Sequence, residues 1–207
     1  MSASIHNHYR PGLFAGLCSA CGGSWARRRI VPEAEGVVVE AGIGGGVNLP
    51  LYDRSRVKLV IGVDPDMTVL HRIRNARPGP DLPVELYEGR AESLPFDSAS
   101  ADTIVLTYTA CSIPDIRCAL GEMRRVLKSS GRLLFCEHGR SHDRAVAQLQ
   151  DRLDPVWRRY GGGCHINRDI ARLLDESGFR ITWLDTFYGA RALRPLSFHY
   201  SGAAVRA

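Results

Sequence analysis

From Val37 onward, short β-branched or apolar runs alternate with longer stretches of helical spacing. "GVVVE" (Gly36–Glu40) is a continuous apolar run with glycine at its start and close after its end, the mark of a buried strand. "KLVIGVD" (Lys58–Asp64), "PVELYEG" (Pro83–Gly89) and "ADTIVLTYT" (Ala101–Thr109) read as three more. Leu120, Met123, Val126 and Leu127 then share one helix face, which "SSG" (Ser129–Gly131) is expected to stop. "GRLLFCEH" (Gly131–His138) is a fifth strand. "FRITWLDTFY" and "LSFHYSGAAV", joined by "GARALRP", read as a late hairpin at one sheet edge. Strands alternating with helices require crossover connections, so this is an α/β chain with a mostly parallel sheet and helices on both faces.

Two segments fall outside that rhythm. Residues 1–35 contain Pro11, Gly12, Gly22 and Gly23 and are expected to form an N-terminal helical cap ahead of a domain over 36–207. Residues 139–164 follow the fifth strand and are expected to fold over it as a lid. There Val146, Leu149, Leu153 and Trp157 keep three- and four-residue spacing, which predicts an amphipathic helix interrupted at Pro155. Trp157 and Tyr160 read as the core of that lid. "YGGGCH" then supplies a turn.

Composition changes this picture little. With 44% hydrophobic residues and 24% charged, the 207-residue chain can bury a sizeable core. The net charge of +5 is mild, and without basic clusters interleaved with aromatics it argues against a nucleic-acid partner. The one basic run, Arg27–Arg29, reads as a solvated helix face, and with Trp25 it is compatible with peripheral contact at an anionic membrane. No run reaches the ~18 apolar residues of a membrane span, and the start lacks a signal-peptide pattern. Six cysteines without such a signal favour reduced thiols and a cytoplasmic location. Cys18 and Cys21 form a lone CxxC, to which His6 and His8 are the nearest candidate partners. That is too little for a tetrahedral metal site, as are the adjacent Cys164 and His165. No metal is expected, and Cys164 reads as packing.

The chemistry points to "VVVEAGIGGGVNLPLY" (Val37–Tyr52), with four glycines in five positions. A strand, a glycine loop and a helix start make a nucleotide-type site, where the backbone turns sharply and approaches a ligand. The dinucleotide fingerprint is G-x-G-x-x-G, whereas Gly42, Gly44 and Gly46 form G-x-G-x-G and Val47 stands where the last glycine would be. Asp64 ends the second strand, followed by Pro65, where a carboxylate can accept from a ribose diol. Asp66 fits a helix N-cap better. Arg90, Ala91 and Glu92 sit at the end of the third strand, within reach of an adenine edge.

"VVVEAGIGGG", "VIGVDPDM", "GRAESLPFDSASADTIV" and "GEMRRVLKSSGRLLF" together resemble the ordered motifs of class I S-adenosylmethionine-dependent methyltransferases. The resemblance implies a Rossmann-like, seven-stranded sheet and S-adenosyl-L-methionine as cofactor. It implies that Gly42, Gly44 and Gly46 line the methionine part, that Glu40 supports the loop and that Asp64 and Pro65 meet the ribose. Ala91 and Glu92 would flank the adenine, and Thr107 would lie beside the sulfonium. A small-molecule acceptor then sits over the ends of the fourth and fifth strands, near Tyr108, Cys111, Glu137 and His138. "CEHGRS", "LDPVWRRYGGGCHINRD", "ESGF" and "RPLSFHYSGAAVR" resemble the small-thiol S-methyltransferases of the methyltransferase-like protein seven type. Their membrane-anchoring front segment is not expected in this sequence, which leaves peripheral contact as the expected form of any membrane association. "GVNLPLY" also resembles bacterial phosphatidylethanolamine and quinone-pathway methyltransferases, so a lipid amine or a quinone-type acceptor stays open beside the thiol, as does a silent cofactor-binding scaffold. For a thiol, His138 is the candidate base. Asp154 either orients substrate or caps the turn before Pro155.

Overall fold

The seven expected strands all form in the computed structural model, which describes residues 23–76, 82–189 and 193–207. They are β1 (Gly36–Ala41), β2 (Val57–Asp64), β3 (Val84–Glu88), β4 (Ala101–Thr107), β5 (Leu127–His138), β6 (Phe179–Tyr188) and β7 (Phe198–Arg206). They make one sheet in the order β3-β2-β1-β4-β5-β7-β6. Five neighbours run parallel, while β7 pairs antiparallel with both β5 and β6. The order reverses between β1 and β4, and the crevice at such a switch point is where ligands of open α/β sheets bind.

The helices are α1 (Ser24–Ile30), α2 (Met67–Ala76), α3 (Ile116–Val126), α4 (Arg144–Tyr160) and α5 (Ile170–Glu176). Asp115 caps α3 by accepting from Cys118 N, and Ile116, Ala119, Leu120, Met123 and Val126 are buried. The main core joins that face to Ile104, Leu106, Leu133 and Phe135. A second cluster packs Ala26, Ile30, Val31 and Ala34 against Val38, Val60, Val105 and Leu134. The described part of the N-terminal segment is therefore a helix laid on the sheet. The Cys18–Cys21 pair with His6 and His8 lies outside the described residues.

Three boundaries differ from expectation. β4 ends at Thr107, because Tyr108 takes a left-handed conformation at φ 53°. The α3 helix stops at Val126, and the chain passes directly into β5 through a register shift between Ala101–Leu127 and Thr103–Arg132. Gly131 permits this, since a Cβ there would come within 2.8 Å of the Asp102 carbonyl. The α4 helix runs through Pro155 without interruption. Asp151, whose carbonyl loses its partner, is exposed, so water can satisfy it.

The buried face of α4 is also not the expected one. Leu149 and Leu153 are 43% and 39% exposed, and Tyr160 is 67% exposed, so Tyr160 is not lid core. Trp157 is half-buried. Val146, Ala147, Gln150 and Asp154 face inward instead. The reason is backbone satisfaction. Gln150 Nε2 lies 3.0, 2.8 and 3.0 Å from the carbonyls of Gly139, Ile166 and Pro195, and Gln150 Oε1 accepts from Ser141 N at 2.8 Å. One side chain thus ties together three segments whose buried polar groups would otherwise be orphaned. No helix among the described residues is long and apolar enough to cross a membrane. Gln150→Leu is expected to lower stability by about 3 kcal/mol in urea unfolding, from several buried groups left unpaired. A loss below about 1 kcal/mol would show that the glutamine does not hold these segments.

Candidate active site

The glycine loop leaves the end of β1 in a conformation that few other residues could adopt. Gly42, Gly44 and Gly46 have φ of 74°, 52° and 71°. A Cβ on Gly42 would come within 2.3 Å of Thr109, whereas one on Gly44 would meet nothing closer than 4.0 Å. Crowding thus demands the first glycine, and an open approach surrounds the second. Gly42 N and Ile43 N both donate to Val63 O, which fastens the loop to the end of β2. Gly44 N donates to Asp64 Oδ2 at 3.0 Å, and Asp66 N donates to Oδ1 at 2.9 Å. Burial raises the Asp64 pKa against those two bonds. Each of its oxygens keeps a lone pair for a further donor. Pro65 is exposed beside it. Asp66 caps α2 through Thr68 N, as expected.

Beneath the loop lies a buried polar chain of which sequence reading singled out Glu40 and Thr107 as site residues but not the partners that join them. The Glu40 carboxylate accepts from Asn48 Nδ2 at 2.8 Å and from Tyr52 OH at 2.6 Å. Asn48 Nδ2 also reaches Thr107 Oγ1 at 3.0 Å. Arg27 from α1 donates to both Asn48 Oδ1 and Thr107 Oγ1, at 2.8 and 2.6 Å. Arg27 is therefore no solvated residue of a basic run: it turns inward and lies over the Tyr108 ring at 4.8 Å. Arg29 pairs with Asp185. Burial pushes Glu40 up to about 7, opposed by the bonds from Tyr52 and Asn48 and by the charge of Arg27. Asn48 and Tyr52 belong to "GVNLPLY", and two polar residues in an apolar tail were the available signal.

The ends of β4 and β5 close the other side. Ala91 is buried and Glu92 half-buried in the turn after β3, where Glu92 faces Arg90 at 3.5 Å. Glu137, fully buried, accepts from Thr109 N and Ala110 N at 2.9 and 3.0 Å and so shapes the loop after β4. Burial lifts its pKa to about 7. Tyr108 OH meets His199 Nδ1 at 3.1 Å and accepts from the Cys136 thiol. His138 stands at the end of β5, its ring 4.9 Å from Tyr108 and 4.8 Å from His199. Burial, His199 and Arg27 hold its pKa down at about 3. A group held that low stays neutral near neutral pH. Asp154 accepts from Ile166 N at 2.9 Å and pairs with Arg158 and His165 at 3.1 and 3.4 Å. Its carboxylate fastens α4 to the turn that follows, the structural one of the two roles expected for it. Two surface clefts, near Val37 and Asp97 and near Lys58 and Gly131, are not lined by the glycine loop.

This strand order, with a left-handed glycine loop at the β1 end and an acid at the β2 end, belongs to a fold shared with solved methyltransferases. Residues 39–135 match the family model described as a methyltransferase domain. That match takes in a little under half of the chain, from within β1 to within β5.

Among its relatives is the rat thiol S-methyltransferase TMT1B, 33% identical over 109 residues, which are 52% of this chain and 45% of that one. Phosphatidylethanolamine N-methyltransferase of Cereibacter sphaeroides is 31% identical over 105 residues, 50% of this chain and 51% of that protein. The chain therefore spans about half the length of these relatives. A solved putative S-adenosylmethionine-dependent methyltransferase of Listeria monocytogenes superposes with a TM-score of 0.68 at 16% identity, covering 91% of this chain and 99% of that one.

The buried carboxylate makes a prediction about stability. An unfolded Glu40 titrates near 4.5 and the folded one at about 7, so the folded state prefers the protonated form. Its contribution is fully present below pH 4.5 and is lost as pH rises through 7. Glu40→Gln removes that loss. The stability of the variant relative to the natural protein should rise by up to about 3 kcal/mol between pH 4.5 and 8 in denaturant unfolding. A pH-independent difference would contradict it.

Proposed function

We propose that the protein transfers the methyl group of S-adenosylmethionine to a small acceptor, and that the acceptor is a small alkyl thiol. The observation that carries the cofactor half is the loop Gly42–Gly46, left-handed at three glycines and hydrogen-bonded to Asp64 at the switch point of the sheet. In this reading the loop takes the methionine part of the cofactor, and Glu40 acts at one remove by holding Asn48 and Tyr52 in place. Asp64 accepts from the ribose hydroxyls beside Pro65. Ala91 and Glu92 flank the adenine, and Thr107 stands near the sulfonium. The cofactor brings an electrophilic methyl group on a cationic sulfur. The chain's task is to align a nucleophile with it and keep water away.

The acceptor side favours something small. The residues around Tyr108, His138 and His199 are buried, and the segment 139–169 is drawn onto the loop after β4 by the bond from His165 N to Cys111 O at 2.7 Å. The likeness to a thiol S-methyltransferase over 109 residues supports the thiol. A thiol also needs little help, since a small fraction is already thiolate near neutral pH. The likeness to a phosphatidylethanolamine N-methyltransferase keeps a lipid amine as the second reading.

Asp64→Ala is expected to weaken S-adenosylmethionine binding about 10- to 100-fold in calorimetry, the cost of removing hydrogen bonds to a charged acceptor. Unchanged affinity would remove Asp64 from the ribose role. With a mass-spectrometric panel of alkyl thiols, phosphatidylethanolamine and a quinol, methylated thiol should dominate. Methylated lipid with no methylated thiol would reverse the acceptor assignment.

A further inference from the structure

Cys111, His138 and Cys164 come from three separate segments: the loop after β4, the end of β5 and the turn after α4. Their ligand atoms, one from each residue, all lie within 4.8 Å of one another, and all three residues are buried. The spacing along the chain gave no sign of this, since Cys164 was paired in sequence only with His165. Two thiols and an imidazole suit a borderline or soft divalent ion and not a hard one, which wants oxygen ligands. With metal–sulfur bonds of about 2.3 Å, ligand atoms in a tetrahedral site are about 3.8 Å apart. The cluster would need to close from within 4.8 Å by about 1 Å at most.

The surroundings suit such a site. The His138 ring is held in place by Tyr108 and His199. The turn bearing Cys164 is tied to Cys111 through His165 N. Arg168 donates to Ala110 O, which fixes the backbone just before Cys111. Two thiolates also balance a divalent charge in a buried place. No fourth His, Cys, Asp or Glu joins the cluster among the described residues, and three protein ligands with a free position are the pattern of catalytic zinc sites rather than structural ones.

We propose that Cys111, His138 and Cys164 bind one divalent ion of the zinc type, with the fourth position taken by the sulfur of the acceptor. The second clause rests on the thiol reading above; the first does not. On binding, the acceptor thiol releases its proton to solvent and bonds to the ion as thiolate. A sulfur lone pair then attacks the methyl carbon of S-adenosylmethionine. The carbon–sulfonium bond breaks, its electron pair stays on the cofactor sulfur, and S-adenosylhomocysteine forms. The methylated product is a neutral thioether, a weaker ligand, and leaves.

The test uses the full chain, stripped with a chelator under reducing conditions and titrated with zinc alone against a chromogenic competitor. One equivalent should bind. Cys111→Ser and Cys164→Ser should each weaken it more than about 100-fold, beyond what loss of an outer partner does. Cys118→Ser and the Cys18→Ser/Cys21→Ser pair should keep it. Absence of a bound equivalent, or one that follows Cys18 and Cys21 and survives at Cys111 and Cys164, overturns the site. If the serine variants do not fold, cobalt(II) added to the natural chain decides. Tetrahedral thiolate absorption is expected, and its absence overturns the proposal. That absorption should shift when a small alkyl thiol is added. A spectrum that thiol leaves unmoved overturns the fourth-ligand clause alone. Calorimetry of S-adenosylmethionine on the stripped natural chain reads the methyltransferase assignment separately.

Discussion

The candidate site depends on one buried interaction, the carboxylate of Glu40 held between Asn48 and Tyr52. A charge in that position is unfavourable unless each oxygen has a donor. Supplying those donors folds the chain after the glycine loop back under β1, so Asn48 and Tyr52 fix where the loop leaves the sheet. Asn48 then reaches Thr107 and Arg27, which brings β4 and α1 into the same network. The N-terminal helix is thus part of the site and not an appendage, and its arginine faces Tyr108 from inside.

The opposite wall repeats the device. Glu137, buried at the end of β5, orders the backbone of Thr109 and Ala110, and Thr109 is the residue that excludes any side chain from Gly42. Two buried carboxylates, one on each side of the β1–β4 switch, therefore set the two loops that face each other. Tyr108 between them is held left-handed, a strained position of the kind found where backbone geometry is set by use. Gln150 and Asp154 carry the same logic into the covering segment, where side chains inside a helix satisfy the backbone of the loops around it.

The strands and their alternation with helices could be read directly, because burial on both faces of a parallel sheet leaves continuous apolar runs. The glycine loop and Asp64 were equally legible, since left-handed backbone restricts the residue type and a strand-end acid stands out. What misled was periodicity in α4. The apolar spacing of Val146, Leu149, Leu153 and Trp157 pointed to one face, while Gln150 and Asp154 are the ones drawn inward. Hydrophobic pattern reports burial of apolar area and is blind to a glutamine whose partners are distant carbonyls. His138 was placed correctly at the end of β5, but its surroundings lower its basicity, and surroundings are not written in local sequence.

From residue order alone came the sheet, the switch point and the glycine loop, all encoded locally in period, punctuation and motif. Tertiary structure alone decided which polar residues meet: Arg27 with Thr107, Tyr52 with Glu40, and Cys111 with His138 and Cys164. Those pairings join residues far apart in the chain through crossovers and a returning hairpin. Their chemistry depends on distances of a few ångströms within a desolvated space, and spacing along the chain does not carry that information.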